Sequence, residues 1–314
     1  MTFELSILGS NGALPAHGRH PTAQILNHNE CYFLLDCGEG TQMRLDACNL
    51  KRSRINEIFI SHLHGDHYYG LMGLITSYIL LGRQQKLTIY APSGLRSIID
   101  VHIDINDPTN GFEIEIIELP IPDSPALCYQ SSVIEVFYFP LKHRITCYGY
   151  FFKEVKQKRN LIKSKIEEYG LSVEEIIALK DGHNISRNGS EIENHQLTKD
   201  PKPQRNYAYC TDTLPIAHQY DLLKNCDLLY HEATFLHDDE ERALQTFHTT
   251  TKQAAEVAKH LNAQQLIIGH FSAKYKNLDP LLQEAETVFE NSALALEGEK
   301  FKIEHRQLTE TDTQ

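Results

Sequence analysis

The sequence predicts an α/β protein in which helices cover β-sheets, and two observations indicate this class. Segments with the two-residue period of strands alternate with segments of helical period along most of the 314 residues. Side chains that bind metal ions follow several of the predicted strands, where α/β proteins assemble their sites. Because 41% of the residues are hydrophobic, the chain can bury a full core. We expect one domain, residues 1–314, that carries an insertion at residues 153–205.

The first half of the chain is predicted to consist mainly of strands. Phe3–Leu8 alternates apolar and polar residues and ends in the turn residues Gly9–Gly12. The helix predicted at Tyr68–Leu81 is indicated by apolar residues at helical spacing, and a shorter helix is predicted at Leu95–Val101. The further strands are predicted at Ala23–Leu26, Tyr32–Leu35, Glu57–Ile60, Leu87–Tyr90, Phe112–Leu119, Val133–Phe139 and Thr146–Lys153.

The insertion does not follow the pattern of the core. Its predicted elements are a helix at Asn160–Tyr169, a second helix after the capping box that Ser172 opens, a hairpin at Ile185–Ile192 and a basic linker at Lys199–Arg205. The segment offers too little apolar surface for an independent core, so we expect a protruding arm with weak intrinsic stability.

The alternation resumes after the insertion. The predicted elements are the strands Tyr207–Thr211, Leu228–Tyr230 and Leu266–Ile268 and the helices Lys252–Leu261 and Leu278–Ser292. The tail after Gln307 is expected to fray, as chain ends commonly do.

The distribution of charge limits the partners of the protein. A formal net charge of −12 argues against indiscriminate binding to nucleic acids. The arm contains an exception, because six basic residues and one acid, Glu154, give Lys153–Lys165 a charge of +5 and leave −17 for the rest. The six are Lys153, Lys156, Lys158, Arg159, Lys163 and Lys165. An isolated run of basic residues would be interpreted as a solvated helix face. Its position in the chain therefore decides between that interpretation and a binding surface.

Other features indicate the cellular compartment. The amino terminus lacks a basic segment followed by an apolar run, so we expect no signal peptide. The apolar stretch Leu71–Leu81 is too short to span a membrane and fits a buried or interface helix. Seven cysteines are dispersed without a CxxC pair, which predicts reduced thiols in the cytoplasm.

Four metal-binding side chains fall within six residues, directly after the predicted strand Glu57–Ile60. They are His62, His64, Asp66 and His67, in the pattern H-x-H-x-D-H. The first two can bind one ion because alternate residues of a loop face the same way. Gly65 is expected to turn the backbone so that the last two face a second ion. The loop therefore predicts half of a two-metal site.

This loop resembles the signature of the metallo-β-lactamase fold, an αββα sandwich of metal-dependent hydrolases. Further motifs resemble the ribonuclease Z family, which processes the 3′ ends of tRNA. They are the D-C-G-E-G-T-Q run from Asp36, H-E-A-T at His231–Thr234, and His248-Thr249-Thr250, which is similar to the family's H-S-T. The resemblance runs nearly end to end and implies a metallo-β-lactamase-like sandwich. The insertion lies where that family carries its tRNA-binding exosite, although Ser172–Ile177 replaces the family's Gly-Pro pair.

The resemblance implies seven metal ligands. One zinc ion would be held by His62, His64 and His143, the other by Asp66, His67 and His270, and Asp212 would bridge both. Imidazole and carboxylate ligands without thiolate suit zinc, with manganese as the alternative, so we expect two Zn²⁺ per subunit. Metals so close together lower the pKa of a shared water, and Asp66 would accept the proton of the nucleophile.

The resemblance also implies a catalytic acid and a substrate. Glu232 would orient His248, which would protonate the leaving 3′ oxygen, because a ribose alkoxide leaves poorly near pH 7. The substrate would be precursor tRNA, cut so that the tRNA keeps a 3′-hydroxyl, and the basic residues of Lys153–Lys165 would contact its phosphates. Proteins of that family form dimers at the helix that corresponds to Tyr68–Leu81, so the resemblance implies a homodimer. No membrane partner is expected.

Two alternatives remain open. A hydrolase of small thioesters, lactams or phosphodiesters on the same fold would share the metal residues but would need neither the arm nor the Glu232–His248 pair. A metal-free scaffold that binds RNA or protein without turnover would not require seven ligand positions, all of which are occupied by suitable residues here.

Overall fold

The computed structural model describes residues 2–216 and 220–306, and the tail after Gln307, which we expected to fray, lies outside these ranges. Two seven-stranded sheets form the centre of the described chain. Each sheet is built largely from one half of the sequence. The inserted arm connects neighbouring strands of the second sheet.

The first sheet and its helices come from the first half of the chain. The strands are β1 (Phe3–Gly9), β2 (Ala23–His28), β3 (Cys31–Leu35), β4 (Ile55–Phe59), β5 (Leu87–Pro92) and β6 (Ile114–Leu119). The helices are α1 (Thr41–Ala47), α2 (Gly65–Tyr68), α3 (Gly70–Leu80) and α4 (Leu95–Asp100), with 3-10 helices at Arg52–Arg54 and Pro108–Asn110. β1 to β3 pair antiparallel, whereas β3 to β6 run parallel.

The second sheet begins with the meander β7 (Ala126–Gln130), β8 (Ile134–Leu141) and β9 (Cys147–Glu154). The arm follows. Its elements are β10 (Asn160–Leu161), α5 (Lys163–Tyr169), α6 (Val173–Lys180), β11 (Ile185–Arg187), β12 (Ser190–Ile192), α7 (Asn194–Leu197) and β13 (Thr198–Lys199).

The remaining elements complete both sheets. They are β14 (Asn206–Cys210), β15 (Leu228–Glu232), α8 (Glu240–Thr246), α9 (Thr251–His260), β16 (Gln265–Gly269), α10 (Asp279–Glu286), β17 (Ser292–Leu294) and β18 (Lys300–Lys302), with 3-10 helices at Asp221–Leu223 and His237–Asp239. β14 to β17 run parallel, and β18 returns to pair with β1. The sheet orders are therefore β18-β1-β2-β3-β4-β5-β6 and β17-β16-β15-β14-β9-β8-β7.

Three layers of buried apolar side chains hold the sandwich together. One lies between the first sheet and α1, α3 and α4, a second between the second sheet and α9 and α10, and the third between the two sheets. This arrangement is the predicted αββα sandwich.

The layer between the sheets is rich in tyrosines whose hydroxyl groups bond to the opposite sheet. The hydroxyl of Tyr150 donates to the carbonyl of Ile60 at 2.8 Å, and that of Tyr207 donates to Gln24 at 2.5 Å. A buried tyrosine thus contributes its apolar ring to the core while its hydroxyl is satisfied across the interface. These bonds fix how the two sheets lie against each other.

The expectation that the arm has no core was wrong. Leu179, Ile185 and Leu197 are buried together, and flanking apolar residues pack against them. The helix predicted at Asn160–Tyr169 begins only at Lys163, because residues 160–161 pair with Thr198–Lys199 as the strands β10 and β13. The arm is therefore a small folded unit rather than two helices and a hairpin without a common core.

Short elements account for most of the other differences from the predictions. The helices α1 and α8 and the strands β7, β17 and β18 were not predicted, and most of them span too few residues to show a clear period. The last helix ends at Glu286 rather than Ser292. The helix predicted at Tyr68–Leu81 is α3, with the four-residue α2 before it.

The ends of the arm meet at a buried ion pair. Glu154, the last residue of β9, accepts hydrogen bonds from the guanidinium of Arg205 at 2.7 Å and from His28 Nε2 at 3.0 Å. Arg205 belongs to the linker that we predicted to be basic, but its side chain is only 5% exposed and does not face solvent. Burial raises the pKa of Glu154, but the bonds from His28 and Arg205 outweigh it and lower the pKa to about 2.

No helix within the described ranges is both long and apolar enough to cross a membrane. All seven cysteines lie in those ranges and carry free thiols.

We predict that Glu154→Gln lowers the free energy of unfolding by about 3 kcal/mol at pH 7, because breaking a buried ion pair leaves Arg205 uncompensated. The folded pKa of about 2 lies below the ordinary value of 4.5, so the carboxylate stabilises the fold fully above pH 4.5 and progressively less as the pH falls toward 2. Denaturant unfolding across this pH range should show a shallower acid loss in the variant. The exposed Glu256→Gln is the control, and equal slopes in both variants would contradict the assignment.

Candidate metal centre and acid pair

The side chains that the sequence singled out as ligands meet at one edge of the sandwich. His62 and His64 follow β4, and α2 carries Asp66 and His67. The others follow the ends of β8, β14 and β16, and they are His143, Asp212 and His270. Their ligand atoms fall into three groups, in each of which all atoms lie within 4.8 Å of one another. The first contains His62, His64, His143 and Asp212, the second Asp66, His67 and His270, and the third joins Asp212 and His270 to His248. The structure thus brings together all seven predicted ligands.

The first group consists of three histidines and one carboxylate oxygen. Nδ1 of His64 lies 2.9 Å from Nε2 of His62 and 3.2 Å from Nε2 of His143. Oδ2 of Asp212 lies 3.6 Å and 3.8 Å from the Nε2 atoms of His62 and His143. Burial is the largest effect on the pKa of each of these histidines and lowers all three, so the rings favour the neutral form that binds metals.

The second group uses the other oxygen of the same aspartate. Oδ1 of Asp212 lies 3.4 Å from Nε2 of His67 and 3.1 Å from Nε2 of His270. Oδ2 of Asp66 lies 3.4 Å and 3.5 Å from the same two nitrogens. The carboxylate of Asp212 therefore faces both groups, one oxygen to each, which is the arrangement that a bridging ligand requires.

The donor set fits metal ions. The Nε2 atoms of His67 and His270 are buried, and the described residues offer them no hydrogen-bond partner. Each of these nitrogens instead points at two carboxylate oxygens from 3.1 to 3.5 Å away. Such atoms would carry a desolvation cost unless a cation lay between them. Nitrogen and oxygen donors without a thiolate are compatible with zinc or manganese.

A buried carboxylate behind the site orients one ligand. Asp36 Oδ2 lies 2.7 Å from Nδ1 of His67 and accepts hydrogen bonds from the hydroxyls of Ser61 at 2.8 Å and Tyr209 at 2.6 Å. A proton on Nδ1 leaves Nε2 of His67 free as the ligand atom. Asp36 had no predicted role of its own, although a carboxylate at the end of a buried strand is a signal that could have indicated one.

The amino-terminal loop closes over the second group. The backbone N–H of Ala13 donates to Asp66 Oδ2 at 2.7 Å. A Cβ on Gly12 would lie 2.6 Å from the ring of His270, so a larger residue there would displace the ligand. A backbone donor of this kind leaves no mark in the sequence pattern and was not predicted.

Glu232 and His248 form a hydrogen-bonded pair beside the second group. Nδ1 of His248 lies 2.8 Å from Oε1 of Glu232, which is fully buried and also accepts the backbone N–H of Thr213 at 2.9 Å. Burial lowers the pKa of His248, but the charge of Glu232 outweighs it and raises the pKa to about 9. The carboxylate of Glu232 therefore favours the protonated form of the imidazole.

The hydroxyl of Thr234 connects this pair to the metal ligands. It donates to Glu232 Oε2 at 2.6 Å and lies 2.9 Å from Nδ1 of His270. When Nδ1 of His270 carries the proton, the chain of bonds runs from that ring through Thr234 to the carboxylate, and Nε2 of His270 remains the ligand atom. Thr234 closes the H-E-A-T motif, and its contact with His270 was not predicted.

Gly65 does not turn the backbone as expected. It is the first residue of α2 and does not have a left-handed φ angle. Its lack of a side chain serves packing, because a Cβ would lie 2.2 Å from the ring of Tyr69. Asp66 and His67 are thus aimed by a short helix and not by a flexible turn.

The basic residues of the arm are partly neutralised within it. Lys158 pairs with Asp181 at 2.7 Å and Lys165 with Glu168 at 2.8 Å, and Arg159 pairs with an aspartate at position 200. In the described part of the chain, no carboxylate lies within ion-pair distance of the other three predicted contacts, Lys153, Lys156 and Lys163. The local excess of charge is concentrated at these lysines.

Comparisons with known proteins agree with this fold and site. Residues 188–271 match the family model described as "Beta-lactamase superfamily domain", and residues 3–102 match the one described as "Anti-Pycsar protein Apyc1". The crystal structure of human tRNase Z, short form, is 25% identical, with a TM-score of 0.68 over 96% of this chain and 99% of that chain. Fold and site together define a metallo-β-lactamase-fold protein with a candidate metal centre.

Curated relatives narrow this class to one family. The ribonuclease Z of Bacteroides thetaiotaomicron is 41% identical over 297 residues, which cover 94% of each chain. The ribonuclease Z of Cytophaga hutchinsonii is 40% identical over 308 residues and 98% of each chain. The chain therefore belongs to the ribonuclease Z family.

We predict that Asp212→Ala loses most of the bound metal and at least 10³-fold in activity, on the order of magnitude seen when a shared catalytic group is removed. The reason is that its two oxygens face both ligand groups. Elemental analysis of the purified variant measures the metal, and Asp104→Ala, on a distant surface loop, is the control. Full metal occupancy in the Asp212 variant would contradict the bridging role.

Proposed function

We propose that this protein is a metal-dependent endoribonuclease that removes the 3′ trailer from tRNA precursors and leaves a 3′-hydroxyl on the tRNA. The observation that carries the proposal is the Glu232–His248 pair beside seven converging metal-binding side chains. Hydrolysis that releases a ribose alkoxide requires a proton donor at the leaving oxygen, whereas activated esters do not. The relatives named ribonuclease Z support the same substrate class.

The metal-binding residues would hold two Zn²⁺ ions per subunit, with Mn²⁺ as the alternative. His62, His64 and His143 would hold the first ion, and Asp66, His67 and His270 the second, with Asp212 shared. Bound metals supply activation of the water nucleophile and stabilisation of the charge that develops on phosphorus. Asp66 lies within reach of this centre, and its carboxylate would accept the proton that the water loses.

His248 would supply the proton on the opposite side of the phosphorus. Its Nδ1 is held by Glu232, so Nε2 is the nitrogen that can donate to the leaving 3′ oxygen. The carboxylate stabilises the imidazolium and keeps the ring in the donating orientation. Thr234 and the backbone N–H of Thr213 fix the carboxylate in turn.

The arm would bind the tRNA away from the cut. A groove of about 350 Å³ at its root is lined by four basic residues and two aspartates, which are Lys156, Lys158, Arg159, Lys180, Asp181 and Asp200. Lys153 and Lys163 extend the positive surface, and we assign phosphate contacts to all six basic residues of Lys153–Lys165. A protein of net charge −12 requires such a local surface to approach a polyanion.

We infer a homodimer in the cytoplasm. The helix α3 and the residues on either side of it expose large apolar side chains, with Tyr69, Leu80 and Leu81 exposed at 64%, 81% and 69%. An exposed apolar surface of this kind is expected to pair. Sedimentation at micromolar concentration should give the mass of two chains, and Leu80→Glu with Leu81→Glu should give monomers, whereas a monomeric parent would refute the pairing.

We predict that His248→Ala keeps its metals but cleaves precursor tRNA about 10²–10⁴-fold more slowly, the usual contribution of general acid catalysis. Hydrolysis of bis(p-nitrophenyl) phosphate should decrease far less, because nitrophenolate leaves without protonation. The surface variant His102→Ala is the control. An equal loss on both substrates would mean that His248 does not act as the acid.

We also predict that the arm can be removed without unfolding the sandwich. The backbone N–H of Glu154 bonds to the carbonyl of Arg205 at 2.9 Å, so a short glycine-rich link can replace residues 157–202. This variant should lose binding to precursor tRNA while hydrolysing bis(p-nitrophenyl) phosphate close to the parent rate.

The charge of the arm is tested without deletion by Lys156→Glu combined with Lys163→Glu. Binding to precursor tRNA should weaken, and the slope of log affinity against log salt should fall by about 1 to 2, one unit for each lost phosphate contact. The matched control is Lys259→Glu on the far helix α9. Unchanged tRNA binding in both arm variants would mean that the RNA is held elsewhere.

A further inference from the structure

A cavity of about 330 Å³ lies directly beside the proposed acid. Its walls are His248, the apolar residues Leu214, Pro215 and Leu244, the carboxylate-bearing residues Glu240 and Glu241, and Gln253, whose amide donates to Glu240 at 2.8 Å. None of the seven predicted metal ligands lines the cavity. Leu244 is 62% exposed and, with Leu214 and Pro215, forms an apolar wall. Neither the fold nor the proposed chemistry explains why an apolar wall lies here.

The orientation of His248 determines what can enter this cavity. Its Nδ1 faces buried Glu232, and its side chain is 15% exposed, so Nε2 is the ring nitrogen left to bond a ligand. A ligand in the cavity therefore lies next to the nitrogen that would donate the proton. The oxygen that receives the proton must be within hydrogen-bond reach of that nitrogen, about 3 Å.

We propose that this cavity binds the base of the last nucleotide that the tRNA retains, the nucleotide whose 3′ oxygen is the leaving group. The proposal rests on the function proposed above, because that reaction places the retained ribose at His248. A base is one ribose away from its 3′ oxygen, so it reaches the wall formed by Leu244 and Leu214. Pockets for small ligands begin at roughly 300 Å³, and this one has room for a single nucleoside and not for a folded strand.

The chemistry of the walls favours a base over a phosphate. Leu214, Pro215 and Leu244 offer an apolar surface to the face of a base, whereas the carboxylates of Glu240 and Glu241 would repel the phosphates of the RNA chain. Carboxylates accept hydrogen bonds from exocyclic amino groups, which adenine, guanine and cytosine carry and uracil lacks. The cavity is therefore a site that selects against uracil at the last retained position.

The first experiment measures kcat/KM on four precursor tRNAs that differ only in the nucleotide before the cut. Adenine, guanine and cytosine should be cleaved about tenfold better than uracil, as expected for one hydrogen bond to a partly exposed carboxylate. The trailer is the same in all four substrates. Equal cleavage across the set would overturn the proposal.

Two variants test the walls. Glu240→Gln combined with Glu241→Gln keeps the volume but offers amide donors to uracil, so the tenfold preference should shrink to about twofold. Leu244→Ala should raise KM for all four precursors several-fold. The matched control is Leu127→Ala on the edge strand β7, a leucine of similar exposure at 47%. Unfolding curves and metal content show that each variant is intact, and an unchanged preference in the double variant would refute the role of the carboxylates.

A third measurement does not depend on tRNA processing. Free adenosine should inhibit the hydrolysis of bis(p-nitrophenyl) phosphate at about tenfold lower concentration than uridine, and Leu244→Ala should weaken this inhibition several-fold. If precursors are cleaved without a base preference, the base site is refuted and the proposed function is not. Failure to cleave any precursor would remove the proposed function, and equal inhibition by the two nucleosides would then remove the base site as well.

Discussion

The site depends on the hydrogen bonds that the buried carboxylate of Asp36 accepts. It follows β3 in the first sheet, and it accepts a hydrogen bond from Tyr209 of the second sheet at 2.6 Å. The same carboxylate accepts the backbone N–H of Ser61 at 2.7 Å and holds Nδ1 of His67. One group thus fixes the distance between the sheets, the path of the metal-binding loop and the tautomer of a ligand. Asp36 adopts a φ of +53°, a strained conformation for a non-glycine residue that these bonds offset.

The electrostatics of the cluster follow from this placement. Asp66 and Asp212 are mostly buried among histidines, and burial alone would raise the pKa of each carboxyl, yet the neighbouring imidazoles lower both. At His67, the negative charges of Asp66, Asp212 and Asp36 outweigh the effect of burial and raise the pKa of the imidazole well above its usual value. Two carboxylates that face the same imidazole nitrogens repel each other unless positive charge lies between them. The protein therefore concentrates negative charge at a place where a bound cation would neutralise it.

The sequence was informative where a side chain alone decides the outcome. Five of the seven predicted ligands follow strand ends, and strand ends meet at one edge of a sheet whatever the exact boundaries are. The assignment of all seven rested on the resemblance to the ribonuclease Z family. The sequence was uninformative where contacts between segments that are far apart in the chain determine the structure. Gly65 could only be interpreted as a turn, because the ring of Tyr69 that excludes a side chain was not visible. Arg205 looked like a surface cation, because its partner Glu154 is 51 residues away.

The arm is a further case in which contacts between separate segments could not be predicted from the sequence. It also shows why RNA binding and bond cleavage can be separated. Its ends meet where Glu154 and Arg205 pair, so the sandwich is closed beneath it, while its own core of Leu179, Ile185 and Leu197 is small. Where the family has a Gly-Pro pair, α6 begins with a capping box. A capped helix is a rigid element. Its first turn exposes Val173 at 67%, and its one basic residue, Lys180, lies at its last position and lines the groove at the root of the arm. Charge for RNA is therefore concentrated at the root of the arm, nearer the sandwich that carries the candidate metal centre.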